Sequence, residues 1–565
     1  MRKRTFILLG LLLITVYTFA QAPDWQWATQ AGGGDLDFGS GITIDDAGNS
    51  YVTGRFEGTA TFGSYSLTSS GEYDIFVAKM DAIGNWQWAT KAGGTGWDGG
   101  CGITIDDTGN SYVTGYFFGT ATFGSYSLTS SGDSDIFVAK IDADGNWQWA
   151  TKAGGTGSDV GFVITIDDAG NSYVTGFFSD TATFGSYSLT SSGGEDIFVA
   201  KIDADGNWQW ATKAGGTNAD FGYGITIDDA GNSYVTGFFS DTATFGFYSL
   251  NSSGGDDIFV AKMDAVGNWQ WVTQAGGIVM DYGWGITIDD AGNSYVTGFF
   301  SDTATFGSYT LTSCGDSDIF VAKIDADGNW QRATQAGGIS YDKGYGITID
   351  DAGNSYVTGY FRDTATFGSY SLTSCGDSDI FVAKIDADGN WQWATQAGGT
   401  DWDYGRAITI DDAGNSYVTG MFEGTATFGS YSLTSSGWFD IFVTKLNSSV
   451  FAENEISPII NSLSNYPNPF KPSGAGRSPA TTISFSVTQN AMSGSDGSPF
   501  VTLEIFNIKG RKVKQLVSNQ LTSGNHSVIW NGDDDSGNSV SSGVYLYKLN
   551  VNGKTEAVKK CLLVK

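Results

Sequence analysis

The segment that opens at Trp25 returns every 61 residues, at Trp86, Trp147, Trp208, Trp269, Trp330 and Trp391. A repeat this regular constrains the fold more than length does, because each unit must bury its apolar surface against its neighbours. The consensus runs W-Q-W-A-T-x-A-G-G, then x-x-x-D-x-G-x-G-I-T-I-D-D-A-G-N-S-Y-V-T-G, then T-A-T-F-G-S-Y-S-L-T-S, then D-I-F-V-A-K-I-D-A-D-G-N. Ile42 and Ile44 alternate with polar residues, Tyr51 to Thr53 is aromatic and β-branched, and Ile75 to Ala78 is a short apolar run. These are strand patterns, and they place Trp86 and Trp88 on one pleat face. The links Asp46 to Asn49 and Asp142 to Asn146 hold residues that tolerate positive φ, so they read as tight hairpin turns. Each unit is therefore expected to form four antiparallel strands.

A four-stranded unit with a continuous apolar strand needs cover on both faces, and radial stacking supplies it while leaving only short edges. The fold class expected is all-β, a seven-bladed β-propeller. The array starts with the strand that is outermost in its unit, at Trp25, and ends with a third strand at Asp440 to Leu446. Each end lacks what the other carries, so a shared blade should close the ring.

Sequence outside the repeat divides the chain further. Arg2, Lys3 and Arg4 precede an apolar run from Phe6 to Phe19 and the small residue Ala20, the layout of a cleavable secretory signal. That run is too short to span a ~30 Å hydrocarbon core comfortably. All seven prolines lie outside residues 24–457. Residues 23–450 hold 15 Lys and Arg against 53 Asp and Glu, whereas residues 451–565 hold 11 against 8. So acidic a surface repels phosphate backbones and argues against nucleic acid as a partner. The expected division is 1–20 signal peptide, 21–446 propeller, 447–464 linker and 465–565 a small β-sandwich, with strands at 482–487, 501–506, 512–517, 526–530, 544–550 and 559–564. Cys101, Cys314, Cys375 and Cys561 are expected as free thiols, because equivalent points of successive blades lie too far apart to be bridged.

The units G-I-T-I-D-D-A-G-N-S-Y-V-T-G and D-I-F-V-A-K resemble the β-propeller repeat of secreted bacterial proteins (SBBP). In the tail, Asn465-Tyr-Pro-Asn-Pro-Phe470, Gly524-Asn-His-Ser-Val-Ile-Trp530, Ser542-Gly-Val-Tyr-Leu-Tyr-Lys548 and the ending Lys559-Lys-Cys-Leu-Leu-Val-Lys565 resemble the C-terminal sorting domain of the type IX secretion system. They are also similar to the immunoglobulin-like domain of the flagellar hook-capping (FlgD) family. The tail resemblance implies type IX machinery as a partner, passage across the outer membrane, and secretion or attachment at the cell surface.

Catalysis on a repeated scaffold needs broken symmetry, since acid, base and stabiliser cannot all be copies of one residue. The only histidine, His526, sits mid-strand in the tail and reads as a partly buried strand residue. The repeated Asp142-Ala-Asp-Gly-Asn146 loop has oxygen-rich spacing, but Ile83 and Val266 replace its second Asp in two copies, which favours turn chemistry over calcium. Asp37, Asp98, Asp159, Asp220, Asp281, Asp342 and Asp403 recur once per blade near the expected channel mouth. Their roles there are loop-anchoring hydrogen bonds or, as the one cofactor considered, a calcium site relieving carboxylate repulsion.

The long loops, which include the T-A-T-F-G-S-Y-S-L insertion, also hold positions where otherwise near-identical copies differ. Trp97, Tyr341 and Trp402 precede the Asp, Tyr404 follows it, and Phe162, Tyr223, Trp284, Tyr345 and Arg406 lie two residues before the inner strand. Aromatic side chains offer rigid contact surface for sugars or protein partners. The reading is a monomeric, non-catalytic binding or scaffold propeller outside the cell, with a glycan or protein ligand. Its rivals are an extracellular propeller-type hydrolase or lyase, for which Lys343, Arg406, Arg55 and Arg362 break symmetry without a matching unique carboxylate, and a structural surface protein without a specific ligand.

Overall fold

The computed structural model describes residues 23–448, 463–470, 480–487, 500–522, 524–551 and 554–564. The expected signal peptide and most of the expected linker lie outside them. Two compact units divide at Val450 and Phe451.

The first unit is built of repeated four-stranded antiparallel sheets, two of which are extended to six strands by a hairpin at their edge. The orphan strand β1 (Trp25–Ala31) completes the last of these by pairing with Tyr431–Leu446, with Ala31 opposite Ile441. The next sheet is built from β2 (Asp37–Ile44), β3 (Ser50–Phe62), β4 (Tyr65–Met80) and β5 (Trp86–Ala92), in that order. Innermost strands pack beside one another around a ring, and the last of them, Asp403–Ile410, packs beside β2. Val52, Phe76, Val77 and Ala78 are wholly buried between sheets.

Turn chemistry sets the strand ends. Asp142 Oδ1 accepts the backbone N–H of Asp144 at 3.0 Å and of Asn146 at 2.9 Å, and Gly145 takes φ 90°. The repeated aspartate thus spends this oxygen on its own loop, which is Asx-turn chemistry.

Two expectations about the outer strands and long loops need correction. The T-A-T-F-G-S-Y-S-L insertion is a β-hairpin extending the middle strands, with Phe62 opposite Tyr65. It folds into the seam between blades: Phe62 is wholly buried edge-on to Trp86 at 5.2 Å, and Thr61 bridges to Gly32 at the end of β1. Nor do Trp86 and Trp88 serve one neighbour. The register slips between Lys79 and Met80 opposite them, and such a bulge re-aims a side chain. Trp86 Nε1 donates backward to the Gln30 carbonyl at 3.3 Å, while Trp88 Nε1 donates forward to Ala143 at 3.0 Å. Arg332, which replaces the forward tryptophan in one blade, donates from Nη1 to the equivalent Ala387 carbonyl.

In the second unit a three-stranded sheet (Leu463–Tyr466, Thr481–Val487, Gly524–Trp530) and a four-stranded sheet (Phe500–Asn507, Lys512–Gln520, Gly543–Val551, Lys554–Leu563) share one core. Ile483, Leu503, Trp530 and Leu549 are wholly buried in it. The first strand begins at Leu463, ahead of the boundary expected at 465, because Leu463 is itself a core residue. His526 lies half-buried, its ring stacked on Phe485 at 5.6 Å. The four cysteines are free, with Cys314 and Cys375 exposed and Cys561 buried.

Candidate ligand site in the channel mouth

Every innermost strand carries a bulge at the same place. In β2 the pairing slips between Gly39 and Gly41, leaving Ser40 unpaired. A bulge leaves its extra residue out of the ladder and turns its side chain. The seven bulged positions are Ser40, Cys101, Phe162, Tyr223, Trp284, Tyr345 and Arg406, and all of them line one cavity of about 440 Å³ at the channel. Ile42, Ile103, Ile225, Ile286, Ile347 and Ile408 line it next to the bulges. The bulge is thus where a nearly invariant scaffold presents its variable side chains.

Aromatic rings join these positions into an arc. Phe162 meets Tyr223 at 5.0 Å, Tyr223 stacks on Trp284 at 3.9 Å, and Trp284 meets Tyr345 edge-on at 5.0 Å. The arc continues as a cation–π contact, with the Arg406 guanidinium 4.6 Å from the Tyr345 centroid. Around it lies a second layer, in which Phe177 stacks on Phe221 and Phe238 on Tyr282, both at 4.3 Å. Ser40 and Cys101 leave the opposite side of the ring low. Burial pushes the Cys101 thiol up to about 12, so it is not a ready nucleophile at neutral pH. Burial likewise raises the Tyr223 phenol, keeping it protonated.

Five of the nine candidate contact residues therefore come together, namely Phe162, Tyr223, Trp284, Tyr345 and Arg406. Tyr404 joins them from the second layer, 4.7 Å from Tyr360 and beside Arg406. Trp97, Tyr341 and Trp402 do not line the cavity. They are exposed on separate blades, and the Trp97 indole N–H donates to Glu72. Arg55 and Met421 line the cavity from second strands. Their signal was the residue just after the repeated V-T-G, which varies as Arg55, Tyr116, Phe177, Phe238, Phe299, Tyr360 and Met421.

The seven aspartates expected around a common mouth are instead sunk in separate blade seams. Asp37, Asp98, Asp159, Asp220, Asp281, Asp342 and Asp403 are each 0% exposed. Asp98 shows why: Oδ2 accepts the Gly94 N–H at 2.6 Å and Oδ1 the Phe118 N–H at 2.9 Å, tying two loops together. A second buried aspartate stands nearby. The space a Cβ on Gly32 would fill lies 3.0 Å from Asp37 Oδ2 and 2.5 Å from Asp440 Oδ1. Burial, reinforced by Asp440, raises Asp37 to about 7, and burial raises Asp440 to about 6. Of the remaining basic candidates, Arg362 is held by Asp377 at 2.7 Å, and Lys343 sits 4.0 Å over the Phe299 ring.

Sequence comparisons find the same repeats and the same tail domain. The Beta-propeller repeat model (SBBP) matches residues 26–55, 209–237, 331–360 and 392–421, and the FlgD Ig-like domain model matches residues 480–556. An uncharacterized WD repeat-containing protein, L264 of Acanthamoeba polyphaga mimivirus, is 24% identical over 504 residues, covering 70% of this chain and 36% of that protein. The regulatory protein FlaEY of Caulobacter vibrioides is 25% identical over 360 residues, covering 59% of this chain and 37% of that protein. The chain thus spans little more than a third of the length of these curated relatives. The WD40 β-propeller domain of Doa1 aligns at a TM-score of 0.38 and 10% identity, over 74% of this chain and 97% of that one. This chain is a β-propeller repeat protein that carries SBBP repeats and, at its C-terminal end, a FlgD Ig-like domain.

Proposed function

We propose that the protein is a non-catalytic binding propeller that works outside the cell and takes a glycan or protein ligand at the long-loop end of its channel. One observation carries the reading: seven bulges aim the variable residues into a single cavity, while the residues that build the blades repeat almost unchanged. Blade packing does not call for large side chains at the bulges, since Ser40 and Cys101 fill the same position in two of the repeats. Among the described residues lining the cavity there is no Asp, Glu or His, which favours binding over hydrolysis or elimination. Export by the N-terminal signal and delivery by the tail through type IX machinery complete the proposal, resting on the sequence layout and on the tail motifs.

Glycan-array binding by the full mature chain tests the reading, with Trp284→Ala and Trp402→Ala as paired variants. Binding lost in Trp284→Ala and kept in Trp402→Ala is the expected result, since only Trp284 lines the cavity. A blank array together with no captured surface protein moves the protein to a purely structural role. Removing residues 463–565 in a host with type IX machinery should hold the propeller in the periplasm, and unchanged surface display would refute the sorting role.

A further inference from the structure

The propeller is strongly acidic, and its few cations are mostly spoken for. Of the fifteen Lys and Arg in residues 23–450, eleven make an ion pair with an aspartate among the described residues. Four do not. Arg332 is one, at the outer rim, where it stands in for a tryptophan. Of the other three, Arg55 and Arg406 line the channel cavity, and Lys343 stands close enough to Arg406 for their charges to interact.

Each of the three rests on aromatic rings with no carboxylate paired to it among the described residues, whereas lysines such as Lys79 and Lys201 stand over a tyrosine ring and also reach an aspartate. Arg55 lies 4.5 Å from the Phe38 centroid and 5.2 Å from that of Tyr73, and its Nη1 donates to the Tyr116 hydroxyl at 2.9 Å. Its Nε is buried in the cavity wall without a hydrogen-bond partner. Arg406 lies 4.6 Å from Tyr345 and 5.7 Å from Tyr404. Lys343 stands over Phe299, and its pKa is lowered by burial and by the nearby Arg406. Like charges placed together and partly desolvated are costly unless an anion joins them. Cation–π contacts position a guanidinium but leave its hydrogen-bonding edge free for a planar acceptor.

Resting on the binding reading above, we infer that the channel mouth is a site for a carboxylate-bearing sugar, a hexuronate. Arg55 and Arg406 hold the carboxylate, and the aromatic arc from Phe162 to Tyr345 takes the C–H face of the pyranose ring. The cavity of about 440 Å³ has room for one or two sugar rings. Charge also limits the ligand's length. A single carboxylate feels mainly the cations beside it, because the acidic surroundings are screened beyond ~8 Å at physiological salt. A long polyanion must lie across those surroundings.

Calorimetric titration of the full mature chain with galacturonate, trigalacturonate, polygalacturonate, galactose and inorganic phosphate tests the inference. Galacturonate or its trimer should bind at least tenfold tighter than galactose and tighter than phosphate, and the monomer-to-trimer ratio tells a free acid from a chain end. Arg406→Gln combined with Arg55→Gln should cost the acid at least tenfold more than it costs galactose. Ser40→Asp, which puts a carboxylate on the low side of the same ring, should abolish acid binding while keeping the melting temperature, and so guards against a misfolded arginine variant. Equal affinity for galactose and galacturonate, tighter phosphate binding, or undiminished acid binding in both variants overturns the inference. If neutral glycans bind and depend on Trp284 while galacturonate does not bind, the anion inference falls and the binding reading stands.

Discussion

Thr444 donates its hydroxyl to the Trp27 carbonyl at 2.7 Å, joining residues 417 apart in sequence. Around that bond the two ends of the array interlock. Gln30 Nε2 donates to the Thr434 carbonyl at 2.8 Å, the Thr434 N–H returns to Gln30 Oε1 at 3.1 Å, and Trp25 packs edge-on to Phe428 at 5.4 Å. Trp147 makes the same contact with Phe123 inside a continuous blade, at 5.2 Å.

This equivalence predicts that Trp25→Ala and Trp147→Ala each cost about 3 kcal/mol, the usual range for emptying a large aromatic site. Denaturant titration of both variants measures it. A cost below about 1 kcal/mol for Trp25→Ala alone would mean that the closing strand is frayed.

The paired aspartates predict an inverted pH profile. Burial raises Asp159, Asp220, Asp281 and Asp342 to about 7 and Asp403 to about 8, while Asp257, Asp318 and Asp379 rise to about 6. The folded protein therefore binds more protons than the unfolded chain between pH ~4 and the folded values. The stability this contributes is fully present below the unfolded pKa and is lost as pH rises through about 6 to 8. Turn aspartates act in the opposite sense. Asp325, held low by the Asn329 backbone N–H, loses its contribution as pH falls through its lowered pKa. Melting should peak between about pH 4 and 6 and fall by several degrees at pH 8. A profile that is flat or rising from pH 5 to 8 contradicts the seam assignment.

Three seams already contain a remedy. Lys91, Lys152 and Lys213 pair with Asp74, Asp135 and Asp196 at 2.7, 2.6 and 2.8 Å, whereas Gln30, Gln274, Gln335 and Gln396 occupy that place in the other four. Gln274→Lys should bring Asp257 back toward the ordinary carboxylate range. With the ammonium about a third exposed, a gain of ~0.5–1 kcal/mol at pH 8 is expected, shrinking to nothing at pH 5. Thermal scans at the two pH values check it, and an equal gain at both would show that the effect is not ionic.

Most of the fold is legible in the repeat, because period, turn residues and the complementary ends each point to a closed array. The bulges are not. Nothing in G-x-G-I-T-I announces that its variable residue leaves the ladder, and it takes the paired Gly54 backbone to show it. Site geometry was legible only as variation at fixed spacing, which finds Tyr223 and Trp284 but equally finds Trp97 and Tyr341 on the outer loops. The aspartate ring misled for a related reason. Sequence places Asp98 near the channel, but only structure shows that two loop amides turn it inward.

Two glycines that look alike in the repeat answer to different forces, and substitution separates them. Gly237 stands opposite the bulge that presents Tyr223, and a Cβ there would lie 1.8 Å from the Phe221 carbonyl and 2.8 Å from the Phe259 ring. The backbone carbonyl cannot move without dissolving the bulge, so Gly237→Ala should cost at least the ~1–3 kcal/mol of an overpacked core and turn Tyr223 away from the cavity. Gly119 faces open space at φ 64°, where it needs conformation and not room. Its equivalents Asp180, Asp241, Asp302 and Asp363 hold φ between 55° and 57°. Gly119→Asp should therefore be nearly neutral, whereas Gly119→Val, β-branched in a left-handed conformation, should cost about 1–2 kcal/mol. Denaturant midpoints for the three variants decide the matter. If Gly237→Ala proves as mild as Gly119→Asp, the bulges are not rigid enough to define the channel mouth.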